Sequence, residues 1–427
     1  MNPRKTPVRR TSFVIVLTVL LWSLGACATE GNGDATTIPS GQTSVGTGDT
    51  VADTTDQTDS PDVWKYGTIQ AMTGFGAHWG DQQSKAHIMA TEQLNESGEF
   101  PFTIEVVVGD HRSDDPTAAT SAAQRMIEVD DIQWFNSSWV ASTLATNPIL
   151  FDAGVPAINA VGTGEGLTGH PWLYNLRLQA SQVAPYVVKF VAENNNIEKA
   201  AFAWWSDAHA VMGEQQVAMA EDLGIEVTVA EAFEPNTTDF RSLLARIAAS
   251  EPDAIFLSAF GADVGHFVSQ AREIGLFPGT IIAGNIVEQA SYDVAGDALD
   301  GFIYAQSLWW PGLDTTLNRQ FIESYTERWG IEESTIESAA AMEYEAAMVM
   351  RDVLRYVLAN GGDPFNGEDL NAALLEIDGF ATIHSDDSLM QIREDGSVVK
   401  PLHFIRAGTS MADFEVLGEI ADPIPLD

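Results

Sequence analysis

Between residues 64 and 282, short apolar runs alternate with stretches of helical periodicity. This alternation constrains the fold more than any other feature. A strand followed by a helix returns to its sheet as a parallel neighbour, through a right-handed crossover. Strands are predicted at 64–69, 102–108, 132–135, 155–159, 200–204, 225–229, 254–257 and 280–282. Helices are predicted near 117–129, 142–152, 209–223, 238–249 and 263–275, and Val183, Val187, Phe190 and Val191 fall on one further helical face. With two more predicted beyond residue 389, the total of about ten strands exceeds what one sheet usually holds. The expected fold class is therefore α/β, with two Rossmann-like lobes built on parallel sheets.

The C-terminal region changes texture. Residues 317–375 read as mostly helical, with helices at 316–329 and 338–359, the second ended by Gly361-Gly362. Strands at 390–392 and 398–405 flank a turn at Asp395-Gly396.

The N-terminus reads as a targeting segment. Arg4, Lys5, Arg9 and Arg10 precede an apolar stretch at 13–24 that is short for a bilayer span. Leu24-Gly25-Ala26-Cys27 resembles a bacterial lipobox, which implies a signal peptide at 1–26 and a lipid on Cys27. Residues 28–62 are rich in Thr, Gly, Asp and Ser, too poor in apolar surface to offset the entropy of ordering, so 27–62 is expected to be a lipidated, disordered tether. Cys27 is the only cysteine, so no internal disulfide is expected. The formal charge is −40, and loss of the four basic residues of 1–26 would make it −44. That balance argues against nucleic acid or an anionic membrane as partner and fits a solubilising surface, such as a saline habitat favours.

The loop after the first strand, AMTGFGAHWGD at 71–81, places Gly74, Gly76, Gly80 and Trp79 where ligands of open α/β sheets bind. Trp79 either packs beneath its own loop or presents a broad apolar face to a ligand. Ala141, Ser142 and Thr143 would open a helix whose free amides suit an anion, with Ser142 the best side chain there. GTGEG at 162–166 lacks the lysine and spacing of a phosphate loop and reads as a turn. The histidines, including His78, His209 and His266, show no metal-ligand spacing. Asp114-Asp115 and Asp386-Asp387 read as turns and solvated surface. No catalytic constellation is present in the sequence.

Several stretches, in order, resemble one family. IQAMTGFGAHWGDQQSKAHIMATEQLN, VVVGDHRSDDPTAATSAAQRMIE, STLATNPILFDAGVPAINAVGTGEGLT and TTDFRSLLARIAASEPDAIFLSAFGADVGHFVSQAREIGL are similar to successive segments of the leucine/isoleucine/valine-binding receptors of ABC importers, the type I periplasmic binding fold. The resemblance spans 64 to 406. It implies two lobes joined by a three-strand hinge, with crossings near 178, 306 and 385. Lobe 1 would comprise 63–178 plus 306–385, and lobe 2 would comprise 179–305 plus 386–427. It further implies a ligand cleft in which Trp79 packs on the ligand, Thr163 holds its polar head and the Val161 carbonyl accepts from an ammonium. The family's serine after the third strand falls on Val140, with Ser138 or Ser142 as neighbours. In the second lobe, Met212-Gly213 stands where the family often has Tyr-Gly, and Phe260 keeps an aromatic. The family's acidic partner for the ammonium falls near Gly284 or Asn285; neither is charged, and Glu288 is the nearest acid. A buried ammonium without an acid is costly, so the expected ligand is an amino acid or, in place of a standard branched-chain one, a related small carboxylate or amide with an apolar body. The implied role is capture of a small molecule for an ABC permease and its ATPase subunits, by a monomer on the outer face of the membrane, with no cofactor and no enzymatic step. A sensor of the same fold and an enzyme on this scaffold are the alternatives.

Overall fold

The computed structural model describes residues 62–164, 166–206, 210–310, 312–421 and 423. The segments expected to be a signal peptide and a tether, with Cys27 but apart from Asp62, lie outside the described residues, as does His209.

The chain opens with β1 (Val63–Gln70), which is buried on both faces from Tyr66 onward, as a central parallel strand must be. The glycine-rich loop leads into α1 (Ala77–Ser97), ended by Gly98 in the left-handed conformation. There follow β2 (Thr103–Asp110), α2 (Pro116–Arg125), β3 (Trp134–Ser137), α3 (Val140–Asp152), β4 (Ala157–Asn159) and β5 (Leu173–Asn175). Asp115 caps α2, accepting from the amides of Thr117 at 2.8 Å and Ala118 at 3.3 Å, with Pro116 in the first turn. The predicted helix at 117–129 ends as α-helix at Arg125 and continues as one π turn over Met126–Asp130. These strands form a parallel sheet in the order β2-β1-β3-β4-β5.

A second run repeats that pattern: α4 (Ala180–Asn194), β6 (Lys199–Trp205), α5 (Ala210–Asp222), β7 (Glu226–Phe233), α6 (Arg241–Ala249), β8 (Ala254–Ser258), α7 (Ala262–Glu273), β9 (Ile281–Gly284), α8 (Gln289–Ala295) and β10 (Ile303–Gln306). The parallel order β7-β6-β8-β9-β10 reproduces that of the first sheet.

The chain then returns to the first sheet's helices. After α9 (Thr316–Trp329), the long α10 (Ser338–Ala359) packs against α1, and α11 (Gly367–Glu376) packs on α10. A small antiparallel sheet of β11 (Phe380–Thr382), β12 (Ser385–Ile392) and β13 (Val398–Val399) precedes β14 (Leu402–Ser410) and β15 (Asp413–Ile420). β14 and β15 extend the second sheet in antiparallel fashion. The predicted strand at 398–405 is broken at Lys400-Pro401. Pro401 has no amide to give a ladder, and Lys400 is turned inward to Glu345.

The turn at Asp395-Gly396 lies on the end of β5, where Gly169 donates to the Asp395 carbonyl at 2.7 Å and Asn175 to the Gly396 carbonyl at 2.9 Å. One apolar cluster joins Trp64 and Trp134 of the first sheet, Phe190 of α4, Phe202 and Phe256 of the second sheet and Val349 of α10. Trp64 and Trp134 are fully buried, and each satisfies its indole nitrogen, on the Pro364 carbonyl at 2.7 Å and on Asn136 at 2.8 Å. Among the described residues, no helix is long and apolar enough to cross a membrane.

Candidate functional site

All five loops at the carboxyl ends of the first sheet converge on one cavity of about 370 Å³. Trp79 comes after β1, Asp114 after β2, Ser138 to Val140 after β3, Val161 to Thr163 after β4, and Arg177 after β5. Leu308 and the start of α10 at Glu337 to Ala339 close one side. The sheet order reverses between β1 and β3, so Trp79 and Trp139 flank the switch point where open sheets leave a crevice.

The first loop explains its own composition. Gly80 is pressed onto the end of β1, and a Cβ there would stand 2.3 Å from the Ala71 carbonyl oxygen. That approach seats the first turn of α1 beside the strand end and leaves Trp79 39% exposed on the cavity wall. Its indole lies 6.1 Å from that of Trp139, so the two tryptophans line one flank, and Phe75 packs on Trp139 at 5.5 Å without lining the cavity.

Arg112, Ser113 and Asp114 run consecutively with positive φ, at 51°, 61° and 75°. Such residues persist only where neighbours hold them. Here the Arg112 amide donates to Asp110 at 2.8 Å, the Ser113 hydroxyl donates to the Thr73 carbonyl at 2.9 Å, and the Asp114 amide donates to His111 Nδ1 at 2.8 Å. Burial alone would raise the Asp110 carboxyl, but its hydrogen bonds from Thr73 and Arg112 hold it below the usual range. Burial pulls the His111 imidazole down, keeping it neutral and able to accept at Nδ1.

The strained turn delivers the Asp114 carboxylate to the start of α3. Its oxygens accept from the amides of Ser142 at 2.7 Å and Ala141 at 3.2 Å. The amides expected to be free for an anion are therefore already engaged, by an aspartate that the sequence suggested was solvated surface. The third, Thr143, donates to the Trp139 carbonyl at 2.9 Å. Asp386 is likewise not idle surface, since it accepts from the amide and hydroxyl of Thr316 at the start of α9.

On the opposite flank, Arg177 donates from Nη1 to the Val161 carbonyl at 2.9 Å. Its buried Nε has no hydrogen-bond partner. Burial pulls the guanidinium down to about 10, opposed by the field of Glu288, so it stays charged at neutral pH. Gln83, one turn along α1 from Trp79, is also buried on the wall and carries an unpartnered Oε1. Glu337 is paired with His78 at 2.7 Å. Beneath the floor, Ser138 donates to Gln70 at 2.9 Å, Gln70 to Glu343 at 3.2 Å, and Glu343 meets buried His87 at 2.9 Å.

Of the residues singled out in the sequence, Trp79, Val161 and Thr163 come together on this wall. Ser142 is buried beside it, with a hydroxyl that finds no partner. Met212, Phe260 and Asn285 belong to the second sheet's helices and loops and do not line the cavity. Met212 Sδ and Asn285 Nδ2 are 3.5 Å apart, Gln216 donates to Asn285 at 3.2 Å, and Phe260 packs on Trp205 at 5.2 Å. Glu288 accepts from the Gly261 amide at 2.9 Å. Arg177, Trp139, Gln83 and Asp114 on the wall were not singled out as ligand-facing residues. Arg177 follows a strand of only three residues, too short to show periodicity.

Repeated sheet order, two α/β layers and a cavity at strand carboxyl ends agree with a sequence match to the periplasmic binding protein family over residues 63–411. The chain belongs to that family. As a periplasmic binding protein it is 25% identical, over 250 residues, to the leucine-, isoleucine-, valine-, threonine- and alanine-binding protein of Pseudomonas aeruginosa, covering 57% of this chain and 66% of that one. Its fold is that of the branched-chain amino acid ABC transporter ligand-binding protein of Burkholderia xenovorans, with a TM-score of 0.71 at 18% identity over 84% of this chain and 96% of the other. It is also similar to a solute-binding protein of an ABC transporter from R. palustris solved with 4-hydroxybenzoate, with a TM-score of 0.64 at 19% identity over 85% and 98% of the two chains.

Proposed function

We propose that this periplasmic binding protein is an extracytoplasmic receptor that captures a small solute between two lobes and delivers it to an ABC permease. The solute is an amino acid or a related carboxylate or amide. In this reading Cys27 carries the lipid that holds the chain at the outer face of the membrane, and ATP hydrolysis belongs to partner subunits. Lobe 1 is 63–178 plus 306–385, and lobe 2 is 179–305 plus 386–427. The receptor works as a monomer.

The observation that carries the reading is the convergence of five strand-end loops on one cavity with Trp79, Val161 and Thr163 on its wall. That wall comes from the first sheet's loops, Leu308 and the start of α10. Closure would bring Met212, Phe260 and Asn285 to the other side of the ligand and shift the population to a form that the permease reads. The relatives' ligands, leucine, isoleucine, valine, threonine and alanine in one and 4-hydroxybenzoate in another, support the same solute class.

The test is a thermal-shift screen of the purified chain, unfolded and refolded to strip bound ligand, against amino acids, amides, polyols and aromatic acids. A ligand at about 100 times its Kd adds roughly 2.7 kcal/mol. A shift that Trp79→Ala abolishes supports the reading. Turnover of the bound compound would replace it with an enzymatic one.

A further inference from the structure

Three charged side chains stand on the cavity wall: Asp114, Arg177 and Glu337. Glu337 is matched by His78. Asp114 is partly matched by two amides of α3. Of these three, Arg177 alone carries a buried polar atom with no hydrogen-bond partner. It engages one carbonyl through Nη1, and its buried Nε faces no acceptor. Arg177 is half-buried, and its buried, orphaned Nε donor is costly unless a ligand completes it. The group that fits a guanidinium best is a carboxylate, which takes two parallel N–H bonds.

The arrangement also disfavours an ammonium beside Val161. Its carbonyl already holds Arg177, so an ammonium there would meet a like charge. Acceptors lie elsewhere on the wall, at the Asp114 carboxylate and at the unpartnered Oε1 of Gln83. Between these poles the wall is apolar, with Trp79, Trp139, Val140 and Leu308.

We infer that the cleft selects a carboxylate lacking an α-amino group, with an apolar body and a hydrogen-bond donor at its far end, and that Arg177 holds the carboxylate. The donor end meets Asp114 and Gln83, and the body stacks against the tryptophans. The inference rests on the solute-receptor reading and adds the ligand class to it.

Calorimetric titration of the full, ligand-stripped chain tests it with 4-hydroxybenzoate, benzoate, 4-hydroxybenzamide and leucine. The expected order places 4-hydroxybenzoate tightest. Benzoate is weaker for want of the donor, and the amide is weaker for want of the charge. Arg177→Gln lowers affinity for 4-hydroxybenzoate at least about 30-fold, as loss of a buried charged partner does. It leaves the amide nearly unchanged, and Arg177→Lys falls between. Circular dichroism of the unliganded variants controls for folding; should Arg177→Gln not fold, the acid-to-amide ratio in the wild type and the lysine variant decide. Tight binding of leucine without binding of either aromatic acid overturns the inference and leaves the receptor reading intact. Silence of the whole panel also overturns it. The receptor reading then stands or falls separately, on mass spectrometry of any solute that co-purifies with protein never unfolded.

Discussion

Lys400→Met is expected to destabilise the protein by about 3 kcal/mol, at the lower end of the 3–5 kcal/mol lost when one partner of a buried ion pair is removed. Lys400 Nζ lies 2.8 Å from Glu345 Oε2, and both side chains are fully buried. Lys400 sits between β13 and β14, where the chain enters the second sheet, while Glu345 belongs to α10 beside the first. Methionine replaces the lysine's volume and leaves the carboxylate without a cation. The loss stays near the lower bound because Glu345 Oε1 still accepts from the Thr382 hydroxyl at 2.6 Å and the Ile383 amide at 3.0 Å. Glu345→Gln keeps an acceptor for those two donors and removes the stranded charge. The double variant Lys400→Met/Glu345→Gln should therefore recover about 2 kcal/mol of the loss. Equilibrium urea unfolding, followed by tryptophan fluorescence and circular dichroism, measures all three proteins. If Lys400→Met lies within about 1 kcal/mol of wild type, or the double variant is no more stable than the single one, the assigned role of the pair is wrong.

Three further outcomes are expected. Trp79→Ala should weaken the tightest ligand about 10- to 100-fold by calorimetry, since an aromatic contact surface is lost, with little change in Tm because the side chain is already 39% exposed. Gly213→Ala should cost about 1–3 kcal/mol in urea unfolding, because the added Cβ would stand 2.2 Å from the Trp204 ring. Acidification should destabilise the fold below pH ~6.5, because burial, then the charges of Lys400 and His403, hold His384 well below its ordinary value, with both ring nitrogens unpartnered. The unfolded chain then binds the extra proton, so stability is full above ~6.5 and falls by up to about 1.4 kcal/mol per pH unit as pH drops toward the folded value. Burial lowers His111 and His403 in the same sense; His384→Phe should flatten the slope between pH 5 and 7 in part, and an unchanged slope would refute the assignment.

The alternation of apolar runs and helical faces was enough to place the parallel layers, because a strand or amphipathic helix is written in a few neighbouring residues. Helices 316–329 and 338–359 appear at their expected bounds. Pairing with remote partners was not readable. β5 has three residues and β13 has two, and each exists as a strand only because another strand lies beside it.

The same division runs through the candidate site. Trp79, Val161 and Thr163 follow strands that the sequence marks, in stretches that resemble known receptors. Asp114 looked like a solvated turn because its neighbours in sequence are polar. Its role depends on the amides of Ala141 and Ser142, which a left-handed turn brings within reach. Arg177 reaches the Val161 carbonyl across the gap between β5 and β4.

Local periodicity thus settled the layers, and strand-end glycines marked a loop that lines the cavity, since both depend on near neighbours. Which charges face the cavity was decided only by tertiary structure. Electrostatic partnership depends on distance in space, and the partners of Asp114, Arg177 and Lys400 are 27, 16 and 55 residues away along the chain.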